Sequence, residues 1–231
     1  MSLSSEYVDV DEAARMLGVT KRHVARLGEH GRIRYLARGL VDRGSVDEYL
    51  SDREFSRSRA WSEATAWAAV ALLSGIEVDW LGQVQTSRLR GRLRRLAADE
   101  NGSNELVGRA RERASVRAYE SFGFLVSRVR KDLVVVGRRG LGLSEQRKDR
   151  VDGYVNSDVL AKLEKSLGLS RNTRGTMILR ATNFDLDIIR RIATKGNGAL
   201  AALDAAGSMD HREHGVGARA LTKYLQDFAR R

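Results

Sequence analysis

The segment LGVTKRHVARLGEHGRI, residues 17–33, limits what this chain can fold into more than any other stretch. Gly18 breaks a helical run in which Ala13, Ala14 and Leu17 recur on one face. Two residues later Thr20 offers a hydroxyl to cap a new helix. Val24 and Leu27 give that second helix an inward face, and His30-Gly31 ends it. YVDV precedes the first helix, with Asp9 or Asp11 as its N-cap. Ile33, Tyr35, Leu40 and Val41 flank the turn Ala37-Arg38-Gly39, which predicts a short β-hairpin. Ser45 is placed to cap a third helix carrying Val46, Tyr49 and Leu50. Residues 7–53 therefore predict a compact unit in the order helix, turn, helix, hairpin, helix.

A helix-turn-helix reads DNA by laying its second helix in the major groove, where residues near that helix's N-terminus reach base edges and neighbours grip phosphates. The outward residues here have that character: Lys21, Arg22, His23 and Arg26. Acidic and basic side chains roughly balance across residues 1–55, yet the positive charge is segregated. From Arg15 to Arg43 the only acids are Glu29 and Asp42, against Arg15, Lys21, Arg22, Arg26, Arg32, Arg34, Arg38 and Arg43. Arg34 and Arg38 on the hairpin would form a wing over the backbone or minor groove. The blander alternative is a small helical domain with a solvated basic face.

VDVDEAARMLGVTKRHVARLGEHGRI followed by GLVDRGSVDEYL resembles the excisionase and MerR-like winged helix-turn-helix. The resemblance spans about residues 8–52 and lies in the EAA-x-x-LGV segment, the Thr before the second helix, the Gly ending it and the hairpin leading to a third helix. It implies DNA binding with Thr20, Lys21, Arg22 and Arg26 toward the groove. His23 departs from the small hydroxyl residue often found there, which leaves base preference open.

SDREFSRSR, residues 51–59, has the composition of a linker, although a continuous helix is the alternative. Residues 56–121 predict a helical middle region. Trp61, Ala64, Ala68 and Ala71 share one stripe, and SRLRGRLRRLA places Leu89, Leu93 and Leu96 on one face with arginines around them. ENGSN is expected to turn, and ELVGRARERASVRAY to form another helix. Residues 122–231 predict a mixed α/β domain. FLVSRV, DLVVVG, VDGYV and TMILRAT have strand character, NSDVLAKLEKSLGL is a capped helix ended by Gly168, DLDIIRRIAT fits either, and ALAALDAA and the last segment are helices. The expected class is α+β, mostly helical: an N-terminal winged helix-turn-helix over 1–55 and a larger mixed α/β C-terminal domain.

The middle segments AWSEATAWAAVALLSG, SRLRGRLRRLA and RARERASVRAY are similar to helix-turn-helix proteins encoded beside AbiEii-type nucleotidyltransferase toxins. VDGYVNSDVLAKLEKSLGL, TMILRAT and ALAALDAAGSMDHRE resemble the C-terminal part of AbiEi-like antitoxins. The resemblance implies an antitoxin whose winged helix binds double-stranded operator DNA at its own promoter, as a homodimer if the operator is palindromic. Its C-terminal domain would oppose a cognate nucleotidyltransferase toxin, by direct contact or otherwise. The alternative is a stand-alone regulator or excisionase-like factor with a C-terminal oligomerisation or sensing domain. Arg88, Arg90, Arg92, Arg94 and Arg95 make one helix strongly basic, and Arg128, Arg130, Lys131, Arg138 and Arg139 extend the charge. This surface would lengthen a DNA footprint or dock an acidic protein, unless it is simply a solvated face around a leucine seam.

The net charge of +11 favours a polyanionic partner. The chain has no cysteine, so disulfides, thiolate metal sites and cysteine nucleophiles are excluded, and a reducing cytoplasm is the expected setting. AWAAVALL, 66–73, is too short to span a bilayer. No Walker, HExxH or G-x-S-x-G motif occurs, and GRRGLGL lacks the spacing of a nucleotide-binding loop, so neither an enzyme nor a cofactor is expected. DHREH, 210–214, holds two histidines three apart that could ligate a metal, but acids at a helix N-terminus are the simpler reading and no metal is expected. The tryptophans at 61, 67 and 80 are assigned to the core.

Overall fold

The computed structural model describes residues 7–30, 32–55, 59–120, 122–143, 150–172, 175–196, 198–208 and 210–231. The fold is α+β and mostly helical, with eleven α-helices and two small sheets among the described residues. The chain divides into two compact units, 1–57 and 58–231.

In the first unit β1 (Tyr7–Asp9) leads into α1 (Val10–Leu17), whose N-cap is Asp9: its carboxylate accepts from the Glu12 N–H at 2.7 Å. Gly18 closes α1 at φ 62°, a left-handed conformation that glycine adopts without a Cβ clash. α2 (Lys21–Glu29) starts at Thr20, whose hydroxyl accepts from the His23 N–H at 3.3 Å. β2 (Tyr35–Ala37) and β3 (Leu40–Asp42) form an antiparallel hairpin, and β1 adds to β3 to give the order β1-β3-β2. Val8, Ala13, Leu17, Val24, Leu27, Ile33, Val41 and Val46 make the core.

Two local expectations change. Ser45 does not cap the third helix, because α3 (Arg43–Phe55) starts before it. Its buried hydroxyl instead donates to the Asp42 carbonyl at 2.7 Å and accepts from the Arg34 N–H at 2.9 Å, tying the hairpin to α3. Residues 51–55 belong to α3 rather than to a linker, and 56–58, like the expected helix end at Gly31, lie outside the described residues.

The second unit has a four-stranded sheet in the order β4-β7-β6-β5. β6 (Val151–Asn156) and β7 (Met177–Thr182) are parallel, joined through α8 (Ser157–Leu167). β4 (Ser115–Tyr119) and β5 (Val134–Val135) pair antiparallel at the two edges. Strand alternation gives the sheet two different faces. Val151 and Val155 on β6, with Met177 and Leu179 on β7, pack with Leu160 of α8 in one apolar cluster. Asp152, Tyr154, Arg180 and Thr182 belong to the opposite face.

Seven further helices complete this unit: α4 (Glu63–Leu73), α5 (Gln83–Ala97), α6 (Gly102–Arg109), α7 (Gly123–Val129), α9 (Leu186–Lys195), α10 (Ala199–Ala206) and α11 (His211–Ala229). α4 is buried from Ala66 to Leu73 and packs against α5, α9, α10 and α11. Trp67 of α4 donates from its indole N–H to the Arg113 carbonyl at 3.1 Å, and Glu63 accepts from the Asn183 N–H at 2.9 Å beyond β7. A boundary at 121/122 therefore fails. The residues expected to form a separate helical region share a core with the sheet.

Three elements differ from their sequence assignment. The stretch expected to run as one helix through Tyr119 ends at Arg109, and Ser115–Tyr119 pairs with β7 as a strand. FLVSRV is helical rather than extended, burying Leu125, Val126 and Val129. ENGSN runs into α6, which begins at Gly102, and Leu186–Lys195 settles as helix.

Candidate nucleic-acid interface

The turn at Gly18 and the cap at Thr20 present α2 with Val24 and Leu27 inward and Lys21, Arg22, Ala25 and Arg26 exposed. The side chains of Arg22 and Arg26, one helical turn apart, make no ion pair among the described residues. Lys21 is held at 2.5 Å from Asp11 of α1, and His23 is half-buried. Thr20 is exposed and its hydroxyl serves the helix cap. Glu29 is also exposed, three residues beyond Arg26, so the positive stretch of α2 is confined to its first two turns.

The hairpin stands next to α2. The Arg32 N–H donates to the Leu27 carbonyl at 2.8 Å, and the Tyr35 ring lies so close to Gly28 that a Cβ there would meet it at 2.5 Å. Arg34 and Arg38 are both exposed on the hairpin. Arg34 lies 3.4 Å from the Asp42 carboxylate, whereas Arg38 occupies the tip beside Gly39, whose φ is 81°.

The second unit carries a separate basic surface. α5 buries Thr86, Leu89, Leu93 and Leu96 and exposes Arg88, Arg90, Arg92, Arg94 and Arg95. Arg88, Arg92 and Arg95 line one hollow, and Arg94 lies 6.0 Å over the Phe228 ring of α11. Arg128 and Arg130 are exposed on and after α7, and Arg130 donates to the Arg150 carbonyl at 3.0 Å. Arg138 does not extend this surface. It is an inward ion-pair partner, donating to Asp152 at 2.6 Å and to Glu213 at 2.9 Å.

Arg138 leads to a cluster that sequence reasoning missed. Arg180 of β7 grips both oxygens of Asp152 on β6 at 2.6 and 2.9 Å. Arg113 donates to Asp204 of α10 at 2.6 Å and to the Tyr154 hydroxyl at 3.1 Å, and that hydroxyl donates to Asp204 at 2.6 Å. Burial alone would raise the Asp152 pKa, but the Arg180 and Arg138 guanidiniums outweigh it and hold the carboxyl below its ordinary value. Burial pushes the Tyr154 phenol up, so it stays protonated and able to donate. Three arginines face three carboxylates, and the cluster ties the sheet to α10 and α11. Its only trace in the sequence was a charge inside each apolar run: Asp204 in ALAALDAA, Arg180 in TMILRAT and Asp152 in VDGYV.

DHREH opens α11. Asp210 is the N-cap, accepting from the Arg212 and Glu213 N–H groups at 2.9 and 3.0 Å, and these bonds lower its pKa. Glu213 faces Arg138, and His214 lies 2.6 Å from the Ala206 carbonyl, so both are committed inside the protein. Trp61 and Trp67 are buried, and Trp80 donates to the Ala64 carbonyl at 3.1 Å. Among the described residues no helix is long and apolar enough to cross a membrane.

No known protein family matches the chain, and no curated protein or solved structure shows significant similarity to it.

Proposed function

We propose that this protein is a DNA-binding repressor of its own operon that also counteracts a nucleotidyltransferase toxin. The observation that carries the DNA-binding reading is the pair Arg22 and Arg26, one turn apart on α2, exposed and without ion-pair partners among the described residues. An arginine so placed can donate two hydrogen bonds to a guanine edge, and each such contact contributes about 1–3 kcal/mol of discrimination. Arg34 and Arg38 on the adjoining hairpin supply backbone contacts, which position without specifying. The second unit acts by binding rather than by chemistry: its buried ionisable groups are engaged with one another. The toxin-opposing role rests on the sequence resemblance. A stand-alone regulator needs only the first unit's surface.

The test is a mobility shift on the chain's own upstream region. Replacing Lys21, Arg22 and Arg26 with Ala should abolish the preference for that region over random duplex. Unchanged operator affinity would refute the assignment of α2. Co-expression with the product of the neighbouring gene tests the antitoxin role: restored growth is expected, and absence of rescue leaves the regulator alone.

A further inference from the structure

The first 57 residues contain ten basic and ten acidic side chains, so the whole +11 excess belongs to residues 58–231. A reader of polyanions would be expected to carry the charge itself. Here the excess lies elsewhere, and its densest stretch is α5, which has five arginines and no acid. All five are exposed, and none makes an ion pair among the described residues. We propose that the arginine face of α5, with the cleft it shares with α4 and α6, binds the phosphate backbone of double-stranded DNA, independently of the first unit.

The geometry favours a chain of phosphates. Arg88, Arg92 and Arg95 repeat at four and three residues, so they stack along one side of the helix. At about 1.5 Å per residue they cover roughly 10 Å of helix axis. Arg92 and Arg95 continue into a cleft of about 740 Å³ walled by Arg59 and Trp61. The Trp61 indole N–H is buried and has no acceptor among the described residues, and the guanidiniums of Arg59, Arg92, Arg95 and Arg109 line the same cleft. Asp99 and Glu105 stand at the same cleft, but Glu105 is neutralised by Arg109 at 2.6 Å. Donors predominate, as a ligand made of acceptors requires.

Two competing partners fit less well. A single strand would want an aromatic platform for its bases. Trp61 is only 5% exposed, with Arg109 lying over its ring at 5.9 Å. An acidic protein would bring an interface core of apolar and aromatic contacts. The only large apolar side chain exposed on α5 is Val84.

The test uses the full chain and a random-sequence duplex, with binding followed by fluorescence anisotropy over a salt series. Each phosphate contact contributes about −0.9 to the slope of log affinity against log salt. Replacing Arg88, Arg92 and Arg95 with Gln should make the slope shallower by about 2.7 and weaken binding at low salt roughly tenfold or more. Lys at the same positions should restore most of the slope, because the charge returns. Replacing Arg22 and Arg26 with Ala should leave the random-duplex slope intact while removing operator preference. The proposal fails if the Gln variant keeps its slope, or if the α2 variant is the one that loses it. It also fails if the Gln variant loses polyglutamate or single-stranded DNA but still holds duplex.

Discussion

Asp152 sits on a strand with arginines on two sides, and that arrangement sets what the residue is worth. A buried ion pair is a weak net stabiliser when intact, because desolvation offsets the attraction. Breaking it is a different matter, since the surviving charges stay buried. Asp152→Asn would leave Arg180 and Arg138 around a neutral amide. We expect a loss of about 3–5 kcal/mol at pH 7, read by urea unfolding. The same carboxyl predicts the acid limb. Its pKa is lowered in the folded protein, so its contribution is present above the unfolded value, about 3.9, and is lost as pH falls through the folded value. The native protein should lose stability on this account only below about pH 4, and Asp152→Asn should flatten that limb. A variant that unfolds like the parent at both pH values would remove the cluster from the stability of this unit.

At the level of elements, close approach decides what substitution can do. Gly217 on α11 lies against α10: a Cβ there would meet the Ala206 nitrogen at 2.2 Å and the Ala205 carbonyl carbon at 2.6 Å. Backbone cannot yield as a side-chain tip can, so Gly217→Ala must push the two helices apart. Overpacking costs about 1–3 kcal/mol, which in a unit of this size lowers the melting temperature by roughly 2–12 °C. Gly91 on α5 has open space around it and serves as the control; Gly91→Ala should hold or raise the melting temperature. If both variants melt alike, the α10–α11 crossing does not depend on a missing side chain.

The elements also differ in how far the sequence revealed them. α1, α2 and the hairpin were legible because breaker, cap and turn residues lie within a few positions of the groups they serve: Asp9 with Glu12, Thr20 with His23, and Gly18 and Gly39 in left-handed turns. β6, α8 and β7 were legible from apolar runs and from the Asn156 cap and Gly168 stop. β4 was not. SVRAY follows an arginine-rich helical stretch and becomes a strand only by pairing with residues 177–181, far along the chain. FLVSRV misled in the other direction, because its apolar residues fit either period and only burial of Leu125, Val126 and Val129 selects the helix. The ion cluster was beyond local reading, since Arg113 and Asp204 are 91 positions apart. At the candidate interface, Arg22, Arg26 and the α5 arginines could be picked out as outward from periodicity alone. The inward turn of Arg138 could not, because its partners lie 14 and 75 positions away.

Over the whole molecule, the net charge belongs to residues 58–231, and the proposed function puts specificity in the other unit. Base discrimination at α2 needs few charges in the right place. Sequence-independent affinity needs many, and it is governed by counterion release. A neutral first unit would bind DNA weakly by itself at physiological salt, and a strongly basic second unit would hold the chain near DNA without choosing a site. Removing residues 1–57 leaves the net charge at +11. We therefore expect residues 58–231, produced alone, to elute from a heparin column at close to the salt concentration of the full chain. The same fragment should show no preference for the upstream region over random duplex in a mobility shift. Its circular dichroism should remain that of a folded α+β protein, because the apolar clusters and the ion network of this unit are drawn from residues after 57. Elution at much lower salt, with the fragment still folded, would put the polyanion affinity in the first unit after all. The segregated arginines of α2 and the hairpin would then have to act as its whole source.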